Sequence, residues 1–150
     1  MANPSIKRIR FSYFDRSFYF PERNQFKAYL ITLFQLEGRK LNMVNYIFCS
    51  DPYLLKLNIT HLNHKTFTDI ITFQYSKSTE SVLAEIYISI NRVKENARAY
   101  NATLLDELHR VMIHGALHLC GYGDKTNKEA LLMRKKENFY LDRFVPRGTK

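Results

Sequence analysis

The sequence predicts an α+β fold: one domain in which a small, mostly four-stranded mixed sheet packs against about five helices. Three observations lead there. The 150 residues, 45% of them hydrophobic and 14% aromatic, suffice to bury one ordinary core but not two. Two runs rich in β-branched and aromatic residues, 69–75 and 82–90, flank a polar stretch, which is the pattern of a hairpin. From residue 91 onward apolar side chains recur at helical spacing.

In chain order, residues 6–13 alternate charged and apolar side chains and read as a half-buried strand with one basic face. Pro21 opens a segment, 22–37, whose Phe26, Tyr29, Leu30, Leu33 and Phe34 follow a helical period until Gly38 stops it. Leu41–Cys49 forms the second strand, and Asp51 and Pro52 begin another helix with Asp51 as its N-cap. After the hairpin come a short helix at 91–100 and a longer one, Leu104–Leu119. The apolar residues of the longer one spread around a broad surface, as on a deeply buried helix. Thr126 and Glu129 form a capping-box pattern for a last helix running to about Phe144, with Pro146 beyond it and the last five or so residues fraying. No repeat, low-complexity tract or linker divides this order, so residues 1–150 read as a single domain.

Composition narrows the function classes. Lys and Arg outnumber Asp and Glu by 23 to 14, a formal charge of +9, which suits a polyanionic partner such as RNA, DNA or acidic lipid. The two cysteines, Cys49 and Cys120, lack the spacing of a disulfide framework or a metal knuckle and read as reduced, buried thiols. Lys7, Arg8 and Arg10 interrupt the N-terminal apolar residues, so nothing there resembles a secretion signal, and the longest charge-free apolar stretch, 29–36, is too short to cross a bilayer. These features place the chain in the cytoplasm, away from membranes.

The chemistry concentrates in residues 114–124. His114 and His118, four apart on a helix, share one face and can bind one ion as neutral imidazoles. Gly121 stands where a helix C-cap glycine is wanted and Gly123 adds backbone freedom, so the chain turns back and delivers Asp124 beside the pair. Two nitrogens and a carboxylate oxygen leave a fourth tetrahedral position for water, the pattern of catalytic rather than structural zinc. The position after the first histidine, where zinc peptidases carry a glutamate base, is Gly115, which argues against that class.

Other residues near this segment carry two readings each. Glu107 and Arg110, seven and four positions before His114, either serve the site or make a plain helix-surface ion pair. In the first case Arg110 meets phosphate and Glu107 orients a histidine from behind. His64 is either an acid or base in the cleft or a solvated loop histidine. Tyr122 either packs beneath the ligand loop or stacks on a base, with packing preferred. The run 134–136 either touches RNA phosphates or faces water. His109 and Cys120 are out of phase with the pair and are not chosen as ligands.

His114, His118, Gly121 and Tyr122 resemble, residue by residue, the signature of the YbeY-type rRNA maturation endoribonucleases, in which a third ligand follows a Gly-Tyr turn. Thr68-Asp69-Ile70-Ile71-Thr72-Phe73 is similar to the family's threonine-led strand, and residues 83–89 to its next strand. The likeness covers about residues 40–140. It implies a zinc-dependent endoribonuclease with one Zn2+ per chain, held by His114, His118 and Asp124. RNA, rRNA in particular, is the implied substrate, and the ribosomal subunit or its proteins are implied partners. The alternative it leaves is a ribosome assembly factor that binds rRNA without cutting it, its metal structural; a metal hydrolase of small phosphoesters is a third reading.

The chain departs from the family pattern in three places. Asp124 replaces the usual histidine, which lowers the formal charge of the site from +2 to +1 and weakens its Lewis acidity. The stretch His61-Leu62-Asn63-His64-Lys65 before Thr68 lacks the family's arginine, and His64 or Lys65 stands in for it. Ala84-Glu85 replaces the usual Gly-Asp. Without a side-chain base beside the histidine, the metal itself generates the nucleophile, water or the RNA 2′-hydroxyl, and a basic cleft including Lys65 and Arg110 offsets phosphate charge.

Overall fold

The computed structural model describes residues 4–63, 67–77 and 81–144. A short 3-10 turn (Pro4–Arg8) leads into strand β1 (Ile9–Tyr13), helix α1 (Arg23–Leu36), β2 (Leu41–Cys49), α2 (Asp51–Leu62), β3 (Ile70–Gln74), β4 (Val82–Ser89), α3 (Ile90–Ala99), α4 (Leu104–Leu119) and α5 (Asn127–Arg143). The four strands form one sheet in the order β1-β2-β4-β3, in which β1, β2 and β4 run parallel and β3 pairs antiparallel with β4. This is the mixed sheet and five-helix set that the sequence predicts. The β3–β4 pairing runs from Ile70↔Ile88 to Gln74↔Ala84.

Parallel neighbours cannot be joined by a tight turn, so α1 serves as the crossover between β1 and β2. Strand periodicity then sorts the side chains. Val44, Tyr46 and Phe48 of β2 and Val82, Ala84, Ile86 and Ile88 of β4 enter the main core with residues of α1 and α4. Cys49, Ile71 and Tyr87 face the other side and are covered by Tyr53, Leu54 and Leu57 of α2. The buried Tyr46 hydroxyl donates to the Met112 carbonyl at 2.9 Å and ties the central strand to α4. At Gly115 a Cβ would lie 2.9 Å from Ile70 Cδ1 and 3.1 Å from Ile86 Cδ1, so the missing side chain is what lets α4 lie this close on the sheet.

Several boundaries shift by one residue, β3 being Ile70–Gln74 and α1 Arg23–Leu36, and three differences bear on local structure. Residues 6–8 belong to the 3-10 turn rather than to β1, and the parallel ladder with β2 begins at Ile9↔Val44. Ser50, not Asp51, caps α2 by accepting the Tyr53 N–H at 3.3 Å. Asp51 instead accepts from the Ser89 hydroxyl at 2.9 Å and from Arg92 at 2.7 Å, which fixes the start of α2 against the start of α3. Ile90 belongs to α3, not to the strand before it. The Thr126–Glu129 capping box is present, and Pro146 and the C-terminal residues expected to fray lie outside the described residues. No described helix is long and apolar enough to cross a membrane.

Candidate metal centre

One turn apart on α4, His114 and His118 bring their Nε2 atoms to 3.0 Å of each other. The helix then ends in a Schellman turn. Gly121, at φ +103°, donates its N–H to the His118 carbonyl at 3.0 Å, and the Tyr122 N–H reaches the Leu117 carbonyl at 3.1 Å. A left-handed residue at that point has to be glycine to avoid strain. Gly123 serves differently from the freedom expected of it: its φ is not left-handed, and a Cβ there would come within 3.1 Å of the Glu129 carboxyl group. The turn places Asp124 Oδ2 3.3 Å from His114 Nε2 and 3.4 Å from His118 Nε2.

These three atoms could hold a metal ion. Zinc bonds of about 2.0–2.1 Å at tetrahedral angles separate neighbouring ligand atoms by about 3.3 Å, close to the three edges of this triangle. Side-chain exposures of 21% for His114, 29% for His118 and 42% for Asp124 leave one side of the triangle accessible. The carbonyl end of α4 adds partial negative charge where a cation would sit.

The rear nitrogens of the two rings decide what faces the centre. His118 Nδ1 lies 2.8 Å from the Tyr122 carbonyl, which can only accept, so Nδ1 carries the proton and Nε2 presents a lone pair. His114 Nδ1 lies 2.6 Å from Glu137 Oε2. Burial pushes the Glu137 carboxyl up, but hydrogen bonds from His114 and Arg110 and the charges around it outweigh that and hold its pKa below the usual value. Glu137 is therefore an ionised acceptor and His114 also donates through Nδ1. Two Nε2 lone pairs then face each other at 3.0 Å, an arrangement that calls for a shared cation or a proton. Burial opposes a charge on His114, yet its bond to Glu137, with the charges of Glu137, Asp124 and Asp69, raises its pKa.

Glu137 was not singled out by sequence reasoning, although a signal existed. It shares the buried face of α5 with Met133 and Tyr140, an acid at helical spacing among apolar residues. It also replaces Glu107 as the carboxylate behind a histidine. Glu107 is buried in the adjoining hollow, where burial raises its pKa, and it forms no ion pair with Arg110 among the described residues. Arg110 instead donates to Glu137 Oε1 and Asn138 Oδ1, each at 2.9 Å. Tyr122 packs, as preferred: its hydroxyl donates to Glu37 Oε1 at 2.7 Å, and Glu37 also accepts from Tyr140 and from Lys136. Of the basic run, Lys136 joins Tyr122 on Glu37 beneath the loop that carries Asp124, and Arg134 lies 3.8 Å from Glu137.

His109 points away from the site into the core, stacked on Phe26 with centroids 4.2 Å apart. Cys49 and Cys120 are free and buried, and burial pushes both thiols up to about 12. His64 and Lys65 lie outside the described residues. Two hollows meet at the His114–His118–Asp124 triangle and share Asp69, His114 and Asp124: one of about 250 Å³ between α3, α4 and α5, and a groove of about 670 Å³ along β3.

The family pattern described as Endoribonuclease YbeY matches residues 20–145. The Endoribonuclease YbeY of Cytophaga hutchinsonii is 46% identical over 127 residues, covering 85% of this chain and 89% of that protein. That of Flavobacterium psychrophilum is 44% identical over 136 residues, covering 91% and 96%. Among solved structures, the solution structure of TM1509 from Thermotoga maritima superposes with a TM-score of 0.59 at 25% identity, covering 95% of this chain and 99% of that one.

Proposed function

The chain belongs to the endoribonuclease YbeY family, and from that premise we propose that it is a zinc-dependent enzyme that cuts single-stranded RNA during rRNA maturation in the cytoplasm. His114, His118 and Asp124 are the ligands of one zinc ion in this reading, and rRNA within a ribosomal particle is the substrate. The observation that carries it is the triangle of two lone-pair-bearing imidazole nitrogens and one carboxylate oxygen with an accessible side. A zinc ion held there supplies Lewis acidity and a nucleophile at neutral pH.

The protein's own groups do the rest. Glu137 fixes the tautomer and orientation of His114, and the Tyr122 carbonyl does the same for His118. Asp124 brings a negative charge, so the zinc site carries +1 rather than +2. No side chain can serve as base from position 115, because a Cβ there already meets Ile70 and Ile86. In this reading proton transfer is assigned to His64, and phosphate contact to Lys65 and Arg110. Arg110, a quarter exposed and bound to Glu137, presents what is left of its donor set to the hollow.

Purified zinc-loaded protein should cleave a single-stranded RNA oligonucleotide, lose that activity to a chelator, and lose it in His114→Ala. Tight RNA binding with no cleavage under any divalent metal would favour the assembly-factor reading instead.

A further inference from the structure

The groove along β3 has a wall that the proposed chemistry leaves unused. β3 is the edge strand of the sheet, and no strand among the described residues pairs with its outer side. Its register with β4, together with the Ser89 N–H bonding the Asp69 carbonyl at 3.0 Å and the Tyr75 N–H bonding the Leu83 carbonyl at 2.8 Å, assigns the odd-numbered backbone groups to the ladder. The N–H and C=O of Ile70, Thr72 and Gln74 therefore point outward. Thr68 Oγ1 at 3.4 Å from the Ile70 carbonyl agrees with that direction. Ile70 and Thr72 line the same groove as His114, His118 and Asp124.

Phe67 lines it too. Phe67 is 54% exposed, so its side chain is open to a partner that enters the groove. Arg92, which does not line the groove, lies over the ring with its guanidinium carbon 5.1 Å from the centroid, and Arg92 is itself held by Asp51 at 2.7 Å. An exposed aromatic ring that lines the groove and is backed by a fixed cation is a stacking surface for a flat partner. A nucleobase has such a face and also a donor–acceptor edge that matches an unpaired strand N–H and C=O. Lys125 lines the groove as well and can meet the neighbouring phosphate.

We infer that Phe67 and the outer edge of β3 form a nucleobase subsite, in which one base of the single-stranded RNA stacks on Phe67 while its polar edge bonds to the Thr72 backbone. The inference rests on the RNA-cleaving reading above. It makes Phe67 a specificity-determining residue and explains why the edge strand is left unpaired beside the metal-ligand triangle.

The test uses the zinc-loaded full chain and a single-stranded RNA oligonucleotide, with KM and kcat measured separately. Phe67→Ala and Phe67→Leu should each raise KM by roughly 5- to 150-fold, the range of one base–aromatic stack. Their kcat at saturation should stay within about 2-fold of wild type, because uniform binding is what is lost. Phe67→Trp should restore KM. Thr72→Pro, which removes an outward N–H on an edge strand, should raise KM while Thr72→Val does not. Zinc content and melting temperature check that each variant is folded. Unchanged KM in Phe67→Ala, or a Phe67→Leu that behaves as wild type, overturns the subsite while leaving the nuclease reading in place. A wild-type protein that never cleaves RNA removes both. A Thr72→Pro effect confined to capture of an extended peptide, with RNA KM unchanged, would assign the edge to a protein partner and overturn the subsite as well.

Discussion

Replacing Glu137 by glutamine should weaken metal binding about as much as loss of a direct neighbour of a ligand does anywhere. The Glu137 side chain is 6% exposed and accepts from His114 Nδ1 at 2.6 Å and from Arg110 at 2.9 Å. Glutamine keeps the shape but has only one accepting oxygen, so its NH2 must face either His114 or Arg110. Facing His114, it forces Nδ1 to accept and moves the ring proton to Nε2, the atom that should ligate. Facing Arg110, it sets donor against donor in a buried place. Partners behind a ligating histidine are worth about 10- to 100-fold in metal affinity. At 1.36 kcal/mol per tenfold, that is roughly 1.4–2.7 kcal/mol. Competition with a chromophoric chelator at pH 7.5 measures it directly. Glu107→Gln is the control, since Glu107 is an equally buried acid in the same hollow that does not bond to His114 or His118. Wild-type zinc affinity in Glu137→Gln, or an equal loss in Glu107→Gln, would refute the reasoning.

His109 should govern part of the acid sensitivity of the fold. Burial lowers its pKa from 6.5 to about 4, against a small opposing effect of Asp106. The unfolded chain therefore binds a proton that the folded one refuses, and stability should fall by up to roughly 3 kcal/mol as pH drops from about 6.5 to about 4. His109→Phe keeps the stack on Phe26 and removes a buried ring nitrogen that has no hydrogen-bond partner. Urea unfolding at pH 5 and pH 7.5 should show a flatter pH dependence than wild type, and an unchanged one counts against the account. Gly115→Ala should destabilise by about 1–3 kcal/mol through overpacking against Ile70 and Ile86, read as a lower urea midpoint; an unchanged midpoint would mean that α4 has room the geometry denies. Asp124→His should retain zinc and move the rising limb of the pH–rate profile to lower pH, because a neutral third ligand returns the site to +2. A limb that stays in place would show that Asp124 does not set the electrostatics of the reaction.

Local rules made most of this legible. The apolar breadth of α4, its terminal glycine, the Thr126–Glu129 box and the β-rich run Leu41–Cys49 each follow from side-chain chemistry within a few residues, and each appears at its expected place. His114, His118 and Asp124 come together for the same reason, since one helical turn and one Schellman turn are local structures. What was missed is long-range. Glu137 reaches His114 from 23 residues away, and Glu37 gathers Tyr122, Lys136 and Tyr140 from 85 to 103 residues away. No spacing within one element encodes such meetings, although the acid on the buried face of α5 hinted at the first. The Ser50 cap was misassigned because two adjacent residues, Ser50 and Asp51, both suit the position, and tertiary bonds from Ser89 and Arg92 draw Asp51 elsewhere. The 3-10 turn reads as strand because its alternation is intact, and nothing in residues 6–8 marks that the ladder with β2 begins only at Ile9.

In the proposed site three side chains from one helix and its turn share a single ion. Zinc analysis of the purified protein beside Asp124→Ala, with X-ray absorption of the bound metal, tests it most directly. One zinc per wild-type chain, bound by two imidazoles and light oxygen ligands and lost or greatly weakened in Asp124→Ala, is the result expected. A wild-type chain that binds no zinc, or an Asp124→Ala chain that keeps its ion with the same ligand set, would show that these three residues do not share an ion.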